Sequence, residues 1–167
     1  MKLWTPKLEN LPSVPHAFRM AVAATLSIVL ARLLNTPEPY WSAIATIVVM
    51  QSPLSSTVPL ALERIVATAL GALLAAIEST FFGSNLIAFG VAVFVLGLLS
   101  LRLRLERVGY SYAGITLAII VLIPHTKAPW IAAVHRFAEV SLGILVALAV
   151  VAIWREEQRL FGDSTAE

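Results

Sequence analysis

The chain contains no cysteine, which excludes disulfides, iron–sulfur clusters and thiol chemistry. Its three histidines, His16, His125 and His135, are scattered, so no metal site of Cys/His spacing is expected. Charge is also scarce: 13% of the residues are charged, where soluble domains carry about 25%. The small basic excess, +2, comes with no basic cluster interleaved with aromatics, so nucleic acid is excluded as a partner. There is no phosphate-cradling glycine loop, no pair of carboxylates in a polar setting and no nucleophile elbow. No enzyme activity and no cofactor are expected, and an ATP-driven pump is excluded for this chain alone.

What the chain has is apolar surface. Hydrophobic residues make up 59% of its 167 positions, and the mean hydropathy is +0.86. These values describe an integral membrane protein with room for about six spans of roughly 20 residues and no sizeable soluble domain. Lys2, Lys7 and Arg19 ahead of the first apolar run imitate a signal peptide. A leader of that length carrying Glu9, Pro6, Pro12 and Pro15 is irregular, so the run reads as a span.

Residues 1–16 read as a proline-punctuated interfacial lead-in, with Leu3 and Trp4 on the membrane. The membrane domain is expected over 17–155 and a charged cytoplasmic tail over 156–167. The first span runs from Ala17 to Leu34, with Arg19 and Arg32 snorkelling near its ends. After the break Asn35–Pro39 comes a short apolar run, Tyr40 to Met50. At about 17 Å as helix it cannot cross a core of roughly 30 Å alone. The polar segment from Gln51 to Thr57 must be buried in protein or line water. A long helix then runs from Pro59 to Phe82, a fourth span from Asn85 to Leu101, a second short run from Tyr110 to Ile123, and a last span from Pro129 to Trp154. With six spans, nine Lys and Arg fall on the N-terminal side and three on the other, which puts both termini in the cytoplasm.

The chain also matches itself. Tyr40, Ala43 and Thr46 recur as Tyr110, Ala113 and Thr116 at an offset of 70. Ala61, Arg64, Leu70, Gly71, Leu73 and Ala75 recur as Ala133, Arg136, Leu142, Gly143, Leu145 and Ala147 at an offset of 72. The fold expected is all-α and polytopic: six transmembrane helices as two inverted three-helix repeats, approximately 17–82 and 85–155. In such folds the paired short segments, here Tyr40–Pro53 and Tyr110–Pro124, mark the substrate path.

Candidate site residues follow from the repeat. Arg64 and Arg136 share a helical face with Gly71 and Ala75, and with Gly143 and Ala147. They are either two cationic sites for a carboxylate or locally paired arginines, Arg64 with Glu63 and Arg136 with Glu139. Glu139 stands where the first repeat has Ala67, and His135 lies one turn before it. A proton relay through His135 and Glu139, with Glu63 as a further candidate for proton coupling, competes with a plain ion pair neutralising Arg136, the commoner case for buried charges. Tyr40, Trp41, Tyr110 and Tyr112 either stack on a planar substrate or anchor the interface. Thr46, Thr68, Thr116 and Gln51 can offer polar groups to a substrate, although threonine hydroxyls more commonly bond between helices. Ala67, Gly71, Ala75, Gly143 and Ala147 serve close helix packing, within or between subunits.

From Tyr40 to Ala75 the sequence resembles the fusaric acid resistance and aromatic acid exporter family, whose membrane module carries Tyr-Trp, Thr, a Gln-Pro or Gln-Ser segment and Arg-x-x-Gly-Thr-x-x-Gly. These positions read Tyr40-Trp41, Thr46, Gln51-Ser52-Pro53 and Arg64 to Gly71, with Ala67 in place of the first glycine. The membrane domain of the plant aluminium-activated malate transporters looks similar. The resemblance implies a bacterial inner-membrane exporter or channel for small organic anions, with aromatic carboxylic acids as substrates and with coupling to the proton gradient. It also implies a homo-oligomer, with a dimer favoured. The alternative is a non-transporting membrane assembly subunit that docks a partner through its small-residue helix faces.

Overall fold

A computed structural model describes residues 14–51, 57–83, 85–123 and 128–162, with the backbone alone for 57 and 155–162. The lead-in over 1–13, the polar break over 52–56, the loop over 124–127 with His125, and residues 163–167 lie outside the described residues. The described residues form six helices: α1 (Val14–Leu33), α2 (Tyr40–Met50), α3 (Thr57–Phe81), α4 (Leu86–Arg102), α5 (Arg107–Leu122) and α6 (Pro129–Gly162). No strand occurs among them.

The short run Tyr40–Met50 folds over the bounds its apolar pattern marks. Elsewhere the helices outrun the pattern. α1 starts at Val14, inside the expected lead-in, α5 starts at Arg107, and α6 continues to Gly162, past the end of the apolar span. Three helices are long and apolar enough to cross a membrane, Val14–Leu33, Val58–Phe81 and Pro129–Trp154; α2, α4 and α5 are shorter apolar helices. The outer surface is apolar along their length. Phe18, Val22, Leu26 and Val29 on α1, and Val91, Phe94, Leu98 and Leu101 on α4, are exposed. Large apolar side chains in rows at helical spacing are what a hydrocarbon solvent accepts and water does not. Arg32 is exposed as expected, whereas Arg19 is buried and bonds to His16 Nδ1 at 3.2 Å.

α1 and α4 stop in the same way. At Asn35 (φ 53°) and Arg104 (φ 56°) the chain turns left-handed. The amides of Asn35 and Thr36 reach back to Arg32 and Ala31, and those of Arg104 and Leu105 to Leu101 and Ser100. Both are Schellman motifs, which satisfy the last carbonyls of a helix and turn the chain sharply. The chain thereby arrives at Glu38 and at Glu106, the residues that lead into α2 and α5.

The two long helices, α3 and α6, pack against each other, and each also carries a short helix from elsewhere in the chain: α5 packs on α3, and α2 on α6. Further contacts join α1 with α2 and α6, and α4 with α5 and α3, with smaller ones between α2 and α3 and between α5 and α6. The apolar core is accordingly double. One cluster joins Ala23, Ala45, Val49, Ile144 and Ala147 from α1, α2 and α6. The other joins Ala75, Leu96, Ala113 and Leu117 from α3, α4 and α5. Two glycines permit this approach. A Cβ on Gly71 would strike the Ala113 carbonyl, and one on Gly143 would strike that of Ser42 and come within 2.9 Å of the Ala45 methyl. Ala67, Ala75 and Ala147 are fully buried beside them, so the small-residue faces serve packing within one chain.

Candidate functional site

Two short and two long helices meet around a small cavity of about 110 Å³. Trp41, Ile44 and Val48 come from α2, Arg64 and Thr68 from α3, Tyr112, Ile115, Thr116 and Ile119 from α5, and Arg136 and Val140 from α6. The sets follow steps of three or four, with Ile115 and Thr116 side by side on α5, so each helix turns one face to the cavity. Arg64, Thr68, Thr116 and Arg136 are all buried. Six sequence candidates thus come together: both arginines, Trp41, Tyr112, Thr68 and Thr116.

The two guanidinium groups are mounted alike. Arg64 Cζ lies 4.2 Å from the ring centre of Tyr112, and Arg136 Cζ lies 3.9 Å from that of Trp41. In both cases the ring comes from the short helix packed on that long helix. The sequence alignment sets Tyr112 opposite Ser42, but these contacts set it opposite Trp41, one residue away. The glycine contacts shift in the same direction, with Gly71 meeting Ala113 and Gly143 meeting Ser42.

The charge around them differs. Arg136 Nη2 donates to Glu38 Oε2 at 2.5 Å, and its Nη1 lies 3.8 Å from Glu139 Oε2. Trp41 Nε1 donates to the same Glu38 oxygen at 3.0 Å. Glu139 Oε1 accepts the backbone N–H of Glu38 at 2.8 Å, just ahead of α2. Arg64 has no carboxylate within ion-pair distance among the described residues, and its Nε and Nη1 are buried without a hydrogen-bond partner. Glu63, its sequence neighbour, is engaged elsewhere. Its Oε1 accepts the backbone N–H of Glu106 at 2.6 Å, just ahead of α5. Glu63 and Glu139 therefore do one job, an anion placed at the start of a short helix. The sequence comparison, which set Ala67 against Glu139, presented this as an asymmetry; the equivalent carboxylate stands one turn earlier on α3.

Other candidates lie away from the cavity. Thr46 is fully buried and its hydroxyl donates to Ser42 and Gly143 carbonyls, at 2.9 and 2.8 Å, which is an interhelical bond. Tyr40 is half exposed, its ring 5.6 Å from that of Trp41 and tilted at 44° to it. Tyr110 turns toward α4, its hydroxyl 3.4 Å from the Val93 carbonyl. Gln51 is exposed at the end of α2, and His135 is half-buried outside the Arg136 pairs.

Two carboxylates escaped the sequence reading. Glu38 sits in what the sequence marks as a loop. Glu78 is 4% exposed on α3, with neither oxygen hydrogen-bonded among the described residues. The available signal was scarcity: between residues 17 and 155 the carboxylates are Glu38, Glu63, Glu78, Glu106 and Glu139 alone, and in a membrane domain each needs a physical reason.

Residues 26–150 match the family described as fusaric acid resistance protein-like. The chain is 34% identical over 155 residues to inner membrane protein YeeA of Escherichia coli, a match covering 89% of this chain and 42% of that protein. It is 25% identical over 134 residues to UPF0421 protein YgaE of Bacillus subtilis, covering 80% of this chain and 37% of that one. The chain thus spans less than half the length of the curated relatives it matches. No solved structure matches. The family match covers most of the chain, including both arginines and every residue lining the cavity: this membrane protein belongs to the fusaric acid resistance protein-like family.

Proposed function

We propose that the protein is an inner-membrane exporter or channel for small organic anions, with aromatic carboxylates as its substrates. The observation that carries this reading is Arg64. Stacking on Tyr112 stabilises a desolvated guanidinium by about 2 kcal/mol, whereas the effective penalty for burying an ion is several kcal/mol. An anion entering the cavity supplies the difference. Thr68 beside Arg64, and Arg136 across the cavity, make the site polar on several sides, while Ile115, Ile119 and Val140 give it apolar walls suited to a ring.

In this reading all six helices belong to one membrane domain over 17–155, arranged as inverted repeats of about 17–82 and 85–155 with both termini cytoplasmic. The exchange of long helices between halves and the paired Schellman ends of α1 and α4 support the repeat. A homodimer, coupling to protons through His135 and Glu139, and a tail from 156 onward complete the proposal. Purified protein in liposomes is expected to move radiolabelled benzoate, and Arg64→Ala to remove at least nine-tenths of that flux while the protein stays folded. Undiminished flux in Arg64→Ala rules the reading out.

A further inference from the structure

The cavity is small. At about 110 Å³ it falls below the roughly 150 Å³ of a cavity that takes up benzene, so an aromatic carboxylate enters only after part of the wall moves. One part of that wall is already arranged as a carboxylate receptor. Arg136 Nη2 and Trp41 Nε1, from two different helices, converge on a single oxygen of Glu38 at 2.5 and 3.0 Å. A guanidinium and an indole N–H meeting on one carboxylate oxygen form a strong, charge-assisted pair of hydrogen bonds.

The present occupant belongs to the chain. Glu38 lies between α1 and α2, and its side chain is 32% exposed, against 4% for Arg136. It can therefore leave toward the outside without crossing the packed interior. Its departure would not strand Arg136, because Glu139 stays 3.8 Å from Nη1 on the same helix. Glu139 also holds the Glu38 amide, which keeps the backbone in place while the side chain swings. Among the described residues Arg64 has no such acid.

We infer that Arg136 and Trp41 form a carboxylate-binding subsite that Glu38 fills in the closed state, so that Glu38 gates the site by competing with the substrate for the same two donors. The inference rests on the anion-transport reading and assigns that site its regulation. A built-in competitor weakens the apparent affinity of the substrate by the fraction of time it holds the donors.

The test is benzoate binding by calorimetry, and benzoate flux in liposomes, with the purified full chain. Glu38→Gln removes the competing charge and is expected to tighten benzoate binding roughly tenfold, the value for a competitor in place about nine-tenths of the time, and to speed flux. Glu139→Gln removes an equal charge but leaves Glu38 on the donors, so less than threefold tightening is expected. Trp41→Phe keeps a ring under Arg136 but loses the N–H, and combined with Glu38→Gln it should forfeit most of the gain. Equal gains in Glu38→Gln and Glu139→Gln would mean a simple charge effect and overturn the gate, as would no gain in Glu38→Gln. Should Glu38→Gln fail to fold, Glu38→Asp, one methylene shorter, decides instead: tighter binding supports the gate and unchanged binding overturns it. If neither wild type nor any variant binds or moves benzoate, the transport reading falls with the gate. If wild type binds and Glu38→Gln gains nothing, the gate alone falls.

Discussion

Arg64 and Arg136 sit at matching sequence positions, on matching long helices, each over an aromatic ring from a short helix, yet among the described residues one has no carboxylate within ion-pair distance and the other has two. The fold fixes where a guanidinium sits. Residues outside the repeated pattern, Glu38 above all, fix its charge balance. On the proposed reading, one arginine receives a mobile anion, while the other is held by the tethered Glu38.

The comparison can be broken at four levels. Gly71→Val and Gly143→Val should have the largest effect, and equally in both halves, because each added side chain meets a backbone carbonyl that cannot step aside. Neither variant is expected to yield a monodisperse peak in detergent; one folded and one unfolded variant would mean the halves pack differently. The arginines come next, with opposite outcomes. Arg136→Ala strands Glu38 and Glu139 and should cost about 3–5 kcal/mol in denaturant unfolding. Arg64→Met removes an uncompensated buried charge and should leave stability equal or higher, while flux falls at least tenfold; equal destabilisation by both would erase the distinction.

Smaller effects test the helix starts. Glu63→Ala should cost about 1 kcal/mol, the net worth of the exposed bond from the Glu106 amide. Glu139→Ala should cost more, since it also removes a partner of Arg136. The smallest change is at the Schellman turns. Arg104→Gly relieves a left-handed residue and should stabilise by about 1 kcal/mol. Asn35→Gly should gain less, because asparagine tolerates that conformation better, and thermal melts of the pair rank the two.

Much of this was legible in the sequence. Composition marks a membrane protein, the bounds of α2 match its apolar run, and the self-match finds both arginines and both packing glycines. The exchange of long helices was not legible, because it joins residues such as Thr46 and Gly143, whose contact no local pattern records. Nor was the one-residue shift that sets Tyr112 opposite Trp41, since helical neighbours differing by one position still share a broad face. Glu63 shows a third limit. A helix start needs an acceptor for its amide, and any turn of a facing helix that reaches it can supply one. The role is preserved between halves while the aligned residue is not.

The central claim is that Arg64 binds an organic carboxylate, and thermal protection by benzoate tests it most directly. Benzoate should raise the melting temperature of the wild-type protein in a saturable way, benzamide, the neutral isostere, should not, and Arg64→Met should abolish the benzoate shift while melting no lower than wild type. Equal protection of wild type and Arg64→Met by benzoate would contradict the account.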